Sequence, residues 1–131
     1  MPNTTGEFQI TNMSEETYKD LDGDGKITHA SGTQAFSGGL TGEGAVDWLM
    51  CYRADGSARF VGLQRVQGSL DGKEGSFIVE AAGDFDGSES KGTWSVIANS
   101  GTGALAGLRG EGRFHASNGP TAMFSLDYEL G

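Results

Sequence analysis

The chain has 131 residues, which suits one domain of ordinary size, and we predict a single domain over residues 1–131. Its net charge of −9 would repel phosphate backbones and anionic lipid surfaces, so we expect neither a nucleic-acid nor a membrane partner. One cysteine excludes an intramolecular disulfide framework, and the polar start (MPNTTGEFQ) is unlike a signal peptide. We therefore predict a cytoplasmic protein.

Glycine is the most unusual feature of the composition. The 23 glycines are scattered along the chain, without the period of three that collagen requires. Aromatic and β-branched residues lie between them, so the chain can build a packed core.

The first predicted strand, near residues 6–12, is followed by DLDGDGKITHAS, which is similar to the first half of an EF-hand calcium loop. Asp20, Asp22 and Asp24 have the required spacing, and Gly25 falls at the sharp turn. Position twelve is Ser31, which cannot supply a bidentate carboxylate, and no helical pattern follows. We predict an exposed corner between two strands and no metal site, while weak cation binding by the three aspartates stays open.

Strands are predicted along the rest of the chain as well. Asp55-Gly56, Asp71-Gly72 and Asp86-Gly87 recur at nearly regular intervals, as the tight turns of hairpins do. The segments between turns alternate polar and apolar residues, and at most short helical turns are predicted at 15–21 and 103–108. The further strands are predicted near residues 27–38, 43–53, 58–70, 74–85, 90–98, 108–116 and 121–130.

Eight consecutive strands with one apolar face each favour a closed antiparallel barrel, in which glycines let the wall bend. We therefore predict an all-β fold with an eight-stranded antiparallel closed barrel.

Other candidate motifs lack the context that their chemistry needs. Residues 101–106 match GxGxxA, but neither a long helix nor a parallel strand is predicted after them, so no nucleotide cofactor is expected. Cys51, His29 and His115 have no partner at the spacing of a catalytic pair or a zinc site. No catalytic residue, cofactor or metal is assigned.

Several segments together resemble a bacterial domain family of unknown function: FSGGLTGEG, LMCYRADGSARFVGLQRVQGSLDGKEGSF, FDGSESKGTWSV and SGTGALAGLRGEGRF. That family is related in fold to allene oxide cyclase and, more distantly, to plant dirigent proteins, and Ser100–Gly110 is similar to a glycine-rich turn that they share. The resemblance implies a barrel that often forms oligomers, so we expect a dimer or trimer. In the cyclase the barrel holds a fatty-acid epoxide, but none of the cyclase's catalytic residues can be placed on this chain.

Strand parity predicts which side chains line the interior. Gln34 and Gln64 share their parity with Phe36 and Phe60, and the other inward residues are Phe8, Ile10, Trp48, Met50, Tyr52, Phe77, Val79, Trp94, Val96, Phe114, Phe124, Leu126 and Tyr128. Such an interior suits a small, mostly apolar ligand with one or two oxygens. Just after the first strand, Glu16 and Tyr18 would cover the barrel mouth. The predicted ligand-binding residues are Glu16, Tyr18, Gln34, Trp48, Tyr52, Gln64 and Tyr128.

Two functions remain open at this point. The first is a barrel that binds a small, mostly apolar molecule and extends to a cyclase- or isomerase-like enzyme with one acid–base group. The second is a non-catalytic structural or interaction module with a solid core, which an exposed apolar patch on the wall without any internal pocket would favour. Arg53, Arg59 and Arg65 are predicted to point outward, where they would pair with Asp47 or with groups at a subunit contact.

Overall fold

The structure is a computed structural model that describes residues 2–20, 23, 25–117 and 121–130. It contains nine strands and, within these ranges, no α-helix. The strands are β1 (Asn3–Asp20), β2 (Lys26–Gly38), β3 (Leu40–Tyr52), β4 (Ala58–Leu70), β5 (Lys73–Phe85), β6 (Glu89–Val96), β7 (Thr102–Gly103), β8 (Leu108–Ser117) and β9 (Thr121–Leu130). The prediction of an all-β fold is confirmed.

Eight of the strands form a closed antiparallel barrel. Their order is β4-β3-β2-β1-β9-β8-β6-β5, and pairing of β4 with β5 closes the circuit, while the two-residue β7 adds to β5. If paired residues are followed from strand to strand around the barrel, starting at Thr28 of β2, the path returns to β2 at Gly38, ten residues further along the chain. This stagger tilts the strands, and eight tilted strands leave an interior just wide enough for side chains to fill. The predicted closed barrel is confirmed.

The turns form where Asp-Gly pairs occur. Asp71 and Gly72 have φ values of 48° and 88°, which a two-residue hairpin turn with positive φ at both central positions requires. In the longer loops, the Asp55 carboxylate accepts a hydrogen bond from the Ser57 backbone N–H, and Asp86 accepts them from Ser88 and Glu89. The hydroxyl and backbone hydrogen bonds from Ser57 lower the pKa of Asp55, and the backbone hydrogen bonds from Glu89 and Ser88 lower that of Asp86.

The first strand is much longer than the predicted span of 6–12. It runs to Asp20 because residues 12–20 pair with residues 26–33 of β2. The short helical turn that was the alternative for residues 15–21 is therefore not formed over Glu15–Asp20. Its other neighbour, β9, pairs only with Asn3–Gln9. Gln9 pairs with Thr121, where β9 begins, and from there to Asp20 the described pairing of β1 is with β2 alone. We call the end of the barrel at which β1 extends past Thr121 the open end.

The opposite end of the barrel is closed. Leu40, Leu70, Leu105 and Leu108 are buried there, so the glycine-rich segment before β8 acts as a plug. The Asp71 carboxylate accepts hydrogen bonds from the Tyr128 hydroxyl and, at 3.0 Å, from the Thr4 hydroxyl. Asp71 thus joins the β4–β5 turn to the first and last strands.

Aromatic side chains fill the middle of the barrel. Ring centroids lie 5.2 to 6.5 Å apart within one contiguous group: Phe8, Phe36, Trp94, Phe114 and Phe124. Such separations are favourable for offset and edge-to-face aromatic pairs. The side chains that parity assigned to the interior are all buried or partly buried, as predicted.

Glycines on neighbouring strands make room for these rings. Gly92 lies opposite Phe114, Gly83 opposite Phe60, and Gly62 opposite Trp48. A Cβ atom on Gly92 would come within 2.7 Å of Phe114 Cζ, and one on Gly83 within 2.8 Å of Phe60 Cζ. These glycines are needed for their small size, since a methyl group would displace an aromatic ring.

We expect Gly92→Ala to destabilise the barrel by about 1–3 kcal/mol, the usual cost of overpacking a well-filled core. Urea unfolding measures the loss, and Ser95→Ala, an exposed substitution on the same strand, serves as the control. Equal stability of the two variants would contradict the steric role of Gly92.

Candidate functional site

An apolar pocket occupies the open end of the barrel. Its volume is about 150 Å³, and among the described residues that line it Ser90 alone has a hydroxyl, amide or charged side chain. The lining residues are Phe8, Ile10, Met13, Trp48, Met50, Phe60, Ser90, Phe114, Ala116 and Ala122. An apolar cavity of about this volume holds a molecule the size of benzene.

Trp48, one of the pocket residues, carries a buried hydrogen-bond donor that is not exposed to the pocket space. Its side chain is 8% exposed, and its indole N–H has no acceptor among the described residues. A buried donor without a partner costs free energy, and this nitrogen has almost no accessible surface from which a ligand in the pocket could reach it.

Gln34 and Gln64 form a separate polar pair inside the barrel. Both are 1% exposed, and Gln64 Nε2 donates to Gln34 Oε1 at 2.8 Å. The amide nitrogen of Gln34 has no acceptor in the described part of the chain, and the same holds for the indole nitrogen of Trp94. The predicted inward placement of both glutamines is correct, but they pair with each other and do not line the pocket.

A polar cluster lies next to the pocket on the side of β1, β2 and β3. Glu15 Oε2 accepts hydrogen bonds from Thr28 Oγ1 at 2.5 Å and from the Tyr52 hydroxyl at 2.9 Å. Glu15 follows the pocket residue Met13 by two positions and Tyr52 follows Met50 by two, so the cluster is about 7 Å further toward the open end. We call these three residues, Glu15, Thr28 and Tyr52, the rim cluster.

The position of Glu15 corrects the prediction that Glu16 and Tyr18 cover the mouth. A β-bulge between Ile10 and Asn12 shifts the register, so that Glu15 lies opposite the buried Ala30 and Glu16 lies opposite the exposed His29. Glu16 therefore points outward, and Tyr18, at a second register shift, is 73% exposed. Sequence alternation alone missed Glu15 because one extra residue reverses the parity of every position after it.

The rim cluster holds Tyr52 in its neutral form. Burial, the hydrogen bond to Glu15 and the negative charge of Glu15 together raise the pKa of Tyr52 from its usual value of 10.0 to about 12. Lys26 Nζ lies 5.4 Å from the centre of the Tyr52 ring, on the outer side of the cluster. Tyr52 is thus a hydrogen-bond donor that orients the Glu15 carboxylate.

Tyr128 lies far from the pocket. It is buried at the closed end, where its hydrogen bond to Asp71 is the main cause that raises the pKa of its hydroxyl. Of the seven residues predicted to bind a ligand, the structure brings Trp48 and Tyr52 to the open end and places Gln34 and Gln64 in the interior. Whether any of the seven binds a ligand stays a prediction.

The outer wall carries the remaining charged candidates. Arg53 and Arg59 point outward as expected, but both pair with Asp84, while Asp47 pairs with His29 at 3.1 Å. Cys51 is exposed. Among the described residues no three His, Cys, Asp or Glu side chains come together as a metal site, and Asp22 and Asp24 lie outside those residues. No helix within the described ranges has the length and apolarity to cross a membrane.

The raised pKa of Tyr52 predicts a loss of stability at alkaline pH. In the unfolded chain Tyr52 ionises near pH 10, and in the folded barrel only near pH 12, so its contribution is complete below pH 10 and lost between these values. Phenolate absorbance is recorded across the pH range for the wild type and for Tyr52→Phe. The difference between the two titration curves should show one tyrosine that ionises near pH 12.

Glu15→Gln should lower that midpoint toward 10, because it removes the charge and weakens the hydrogen bond, whereas Glu16→Gln should leave it unchanged. A wild-type midpoint near pH 10 would contradict the geometry of the rim cluster.

Two comparisons place this chain among known proteins. Its fold matches the crystal structure, at 1.84 Å, of a protein of unknown function from the DUF3224 family of Shewanella oneidensis MR-1, with a TM-score of 0.85. The two chains are 24% identical over 100% of this chain and 98% of the other, a likeness that shows the fold. Among curated proteins none matches this sequence. The model of the family described as "protein of unknown function (DUF3224)" matches residues 4–128, and this chain therefore belongs to that family.

Proposed function

We propose that this barrel binds a small, mostly apolar molecule in the pocket at its open end. The observation that carries the proposal is a cavity of about 150 Å³ lined almost wholly by aromatic and aliphatic side chains. Concave apolar sites with a few polar groups at their edge are typical of small-molecule binding. The aromatic group below the pocket restricts a ligand to this end, so the proposed occupant has about the size of one ring.

The family resemblance also led to predictions that are more specific than ligand binding. The relation to allene oxide cyclase and dirigent proteins remains a prediction, and so does a cyclase- or isomerase-like reaction. Such a reaction would need an acid–base group at the pocket, and Glu15 is the carboxylate that the rim cluster holds beside it. A cytoplasmic location also remains a prediction.

We expect toluene to bind saturably at the open end, and Ala116→Leu to weaken that binding by roughly tenfold or more, because the added atoms fill the cavity. Two-dimensional amide NMR of the labelled protein follows the titration and also reports on the fold of the variant. Ala35→Leu, on the exposed face of β2, is the matched control and should bind as the wild type does. Absence of toluene-induced shifts in the wild type would refute the proposal.

The outer wall favours a second candidate function, in which the barrel is an interaction module that pairs with a second copy of this chain. Leu49, Val61 and Leu63 are 50%, 49% and 51% exposed, and Leu49 lies directly opposite Val61. Ala82 lies on the other side of Val61, so the four residues Leu49, Val61, Leu63 and Ala82 form one apolar patch. Contiguous exposed apolar residues mark protein contacts more often than isolated ones do.

If the patch is a self-association surface, the wild type should sediment as an oligomer and Val61→Lys should shift it to the monomer. The control is Met123→Lys, since Met123 is 59% exposed on β9, outside the patch. Analytical ultracentrifugation across a range of concentrations measures both. A monomeric wild type at the highest concentration would refute this candidate.

A further inference from the structure

We propose that two copies of this chain pair across the apolar patch with their strands antiparallel, so that a basic border of the patch in each copy meets an acidic border in the other. The inference rests on the second candidate function, self-association through this patch. It adds the arrangement of the two copies and the charged residues that determine it.

The apolar patch lies between two rows of charged side chains on the outer wall. Its middle row consists of Leu49, Val61 and Ala82, which lie opposite one another on β3, β4 and β5. Alternate residues of a strand point to the same face, so the neighbouring outward rows lie about 7 Å away on either side. One row is toward the open end and the other toward the closed end.

The row toward the open end forms the basic border, which consists of Arg53, Arg59, Asp84 and Lys91. Asp84 lies opposite Arg59 on β4 and opposite Lys91 on β6. Its carboxylate pairs with Arg59 at 2.9 Å and with Arg53 at 3.6 Å. Three cations and one carboxylate give this border a formal charge of +2, in a chain whose net charge is −9.

The row toward the closed end forms the acidic border, which consists of Asp47 and Glu80 with Leu63 between them. Both carboxylates are exposed, and Glu80 makes no ion pair with any described residue. Together they give this border a formal charge of −2. The wall is therefore complementary to a second copy of itself, provided that the copy is turned end to end.

A two-fold axis that runs across the strands along the middle row produces this match. It places Arg59 between Asp47 and Glu80 of the second copy. An axis along the strands would instead oppose Arg59 to Arg59 and Asp47 to Glu80. An axis between the middle row and the acidic border would oppose Arg59 to Arg65, and one nearer the basic border would press Arg59 onto Val61. Like charges in direct opposition disfavour the wrong arrangements of an interface.

The favoured arrangement also covers the exposed apolar side chains. Val61 meets Val61 at the axis, and the aliphatic stem of Arg59 lies over Leu63 of the second copy. Asp84 comes opposite Glu80 of the second copy, and Arg59 and Lys91, on either side of Asp84, offset that repulsion. The interface thus has an apolar centre with charged residues at its rim, as protein interfaces commonly do.

Reversing either charge should weaken the dimer. We expect Arg59→Glu and Glu80→Lys each to raise its dissociation constant by roughly tenfold or more, because each opposes like charges at both symmetric contacts. Arg109→Glu and Glu129→Lys are the matched controls, since these exposed residues lie opposite each other on β8 and β9, outside the patch, and should leave the constant unchanged. Sedimentation velocity over a range of concentrations measures the constants, and circular dichroism reports on folding.

Mixing the two variants tests the arrangement itself. In a dimer of Arg59→Glu with Glu80→Lys, one contact pairs the introduced glutamate with the introduced lysine, and the other pairs the native Arg59 with the native Glu80. We therefore expect an equimolar mixture to form dimers about as tightly as the wild type, although neither variant does so alone. If Glu80→Lys does not fold, Asp47→Lys takes its place, because Asp47 also flanks Arg59 in the proposed dimer.

The outcomes separate this inference from the candidate function on which it rests. A monomeric wild type would refute self-association and the inference together. If the wild type is an oligomer that Val61→Lys dissociates, but the mixture of charge variants stays monomeric, the arrangement is overturned and self-association stands. An oligomer other than a dimer, or equal effects of the patch and control variants, would overturn it as well.

Discussion

The close packing of large rings against glycines on the neighbouring strand is the constraint on which the barrel depends. An eight-stranded barrel has an interior only wide enough for side chains to fill, and opposed inward residues on adjacent strands are in direct contact. Phe114 faces Gly92, and Phe60 faces Gly83. Two large residues at either pair would not fit, so the glycines at these positions are a consequence of the aromatic core.

This packing also determines where a cavity can form. Five rings occupy the middle of the barrel, and leucines with the Asp71–Tyr128 contact occupy the closed end. At the open end the described part of β1 after Gln9 pairs with β2 alone, and the apolar pocket lies at this end. The two ends therefore differ: buried leucines and the hydrogen bond from Tyr128 to Asp71 fill one end, whereas the other holds the apolar pocket.

Much of the fold could be predicted from the sequence because its signals are local. Asp-Gly turns with positive φ and strict alternation in β3, β4 and β9 determine both the strand boundaries and the inward faces. The bulge near Thr11 is different, because it depends on how β1 fits against β2 and leaves no clear mark in the composition. Sequence analysis therefore placed Trp48 and Tyr52 correctly and selected Glu16 where the structure has Glu15. That the Trp48 indole finds no acceptor in the described part of the chain is a property of the assembled core, which no single segment reveals.

The rim cluster shows why the bulge matters for chemistry. Without the extra residue, Glu16 would face the mouth and Glu15 would be a solvated carboxylate on the wall. With it, the Glu15 carboxylate accepts hydrogen bonds from two hydroxyls, that of the buried Thr28 and that of Tyr52, whose pKa it helps to raise. Bulges commonly re-aim side chains beside functional sites, and they cost the strand one unpaired residue. In a strand that served only to extend the sheet, the bulge would have this cost and no benefit. In β1 the bulge also positions a carboxylate next to an apolar pocket.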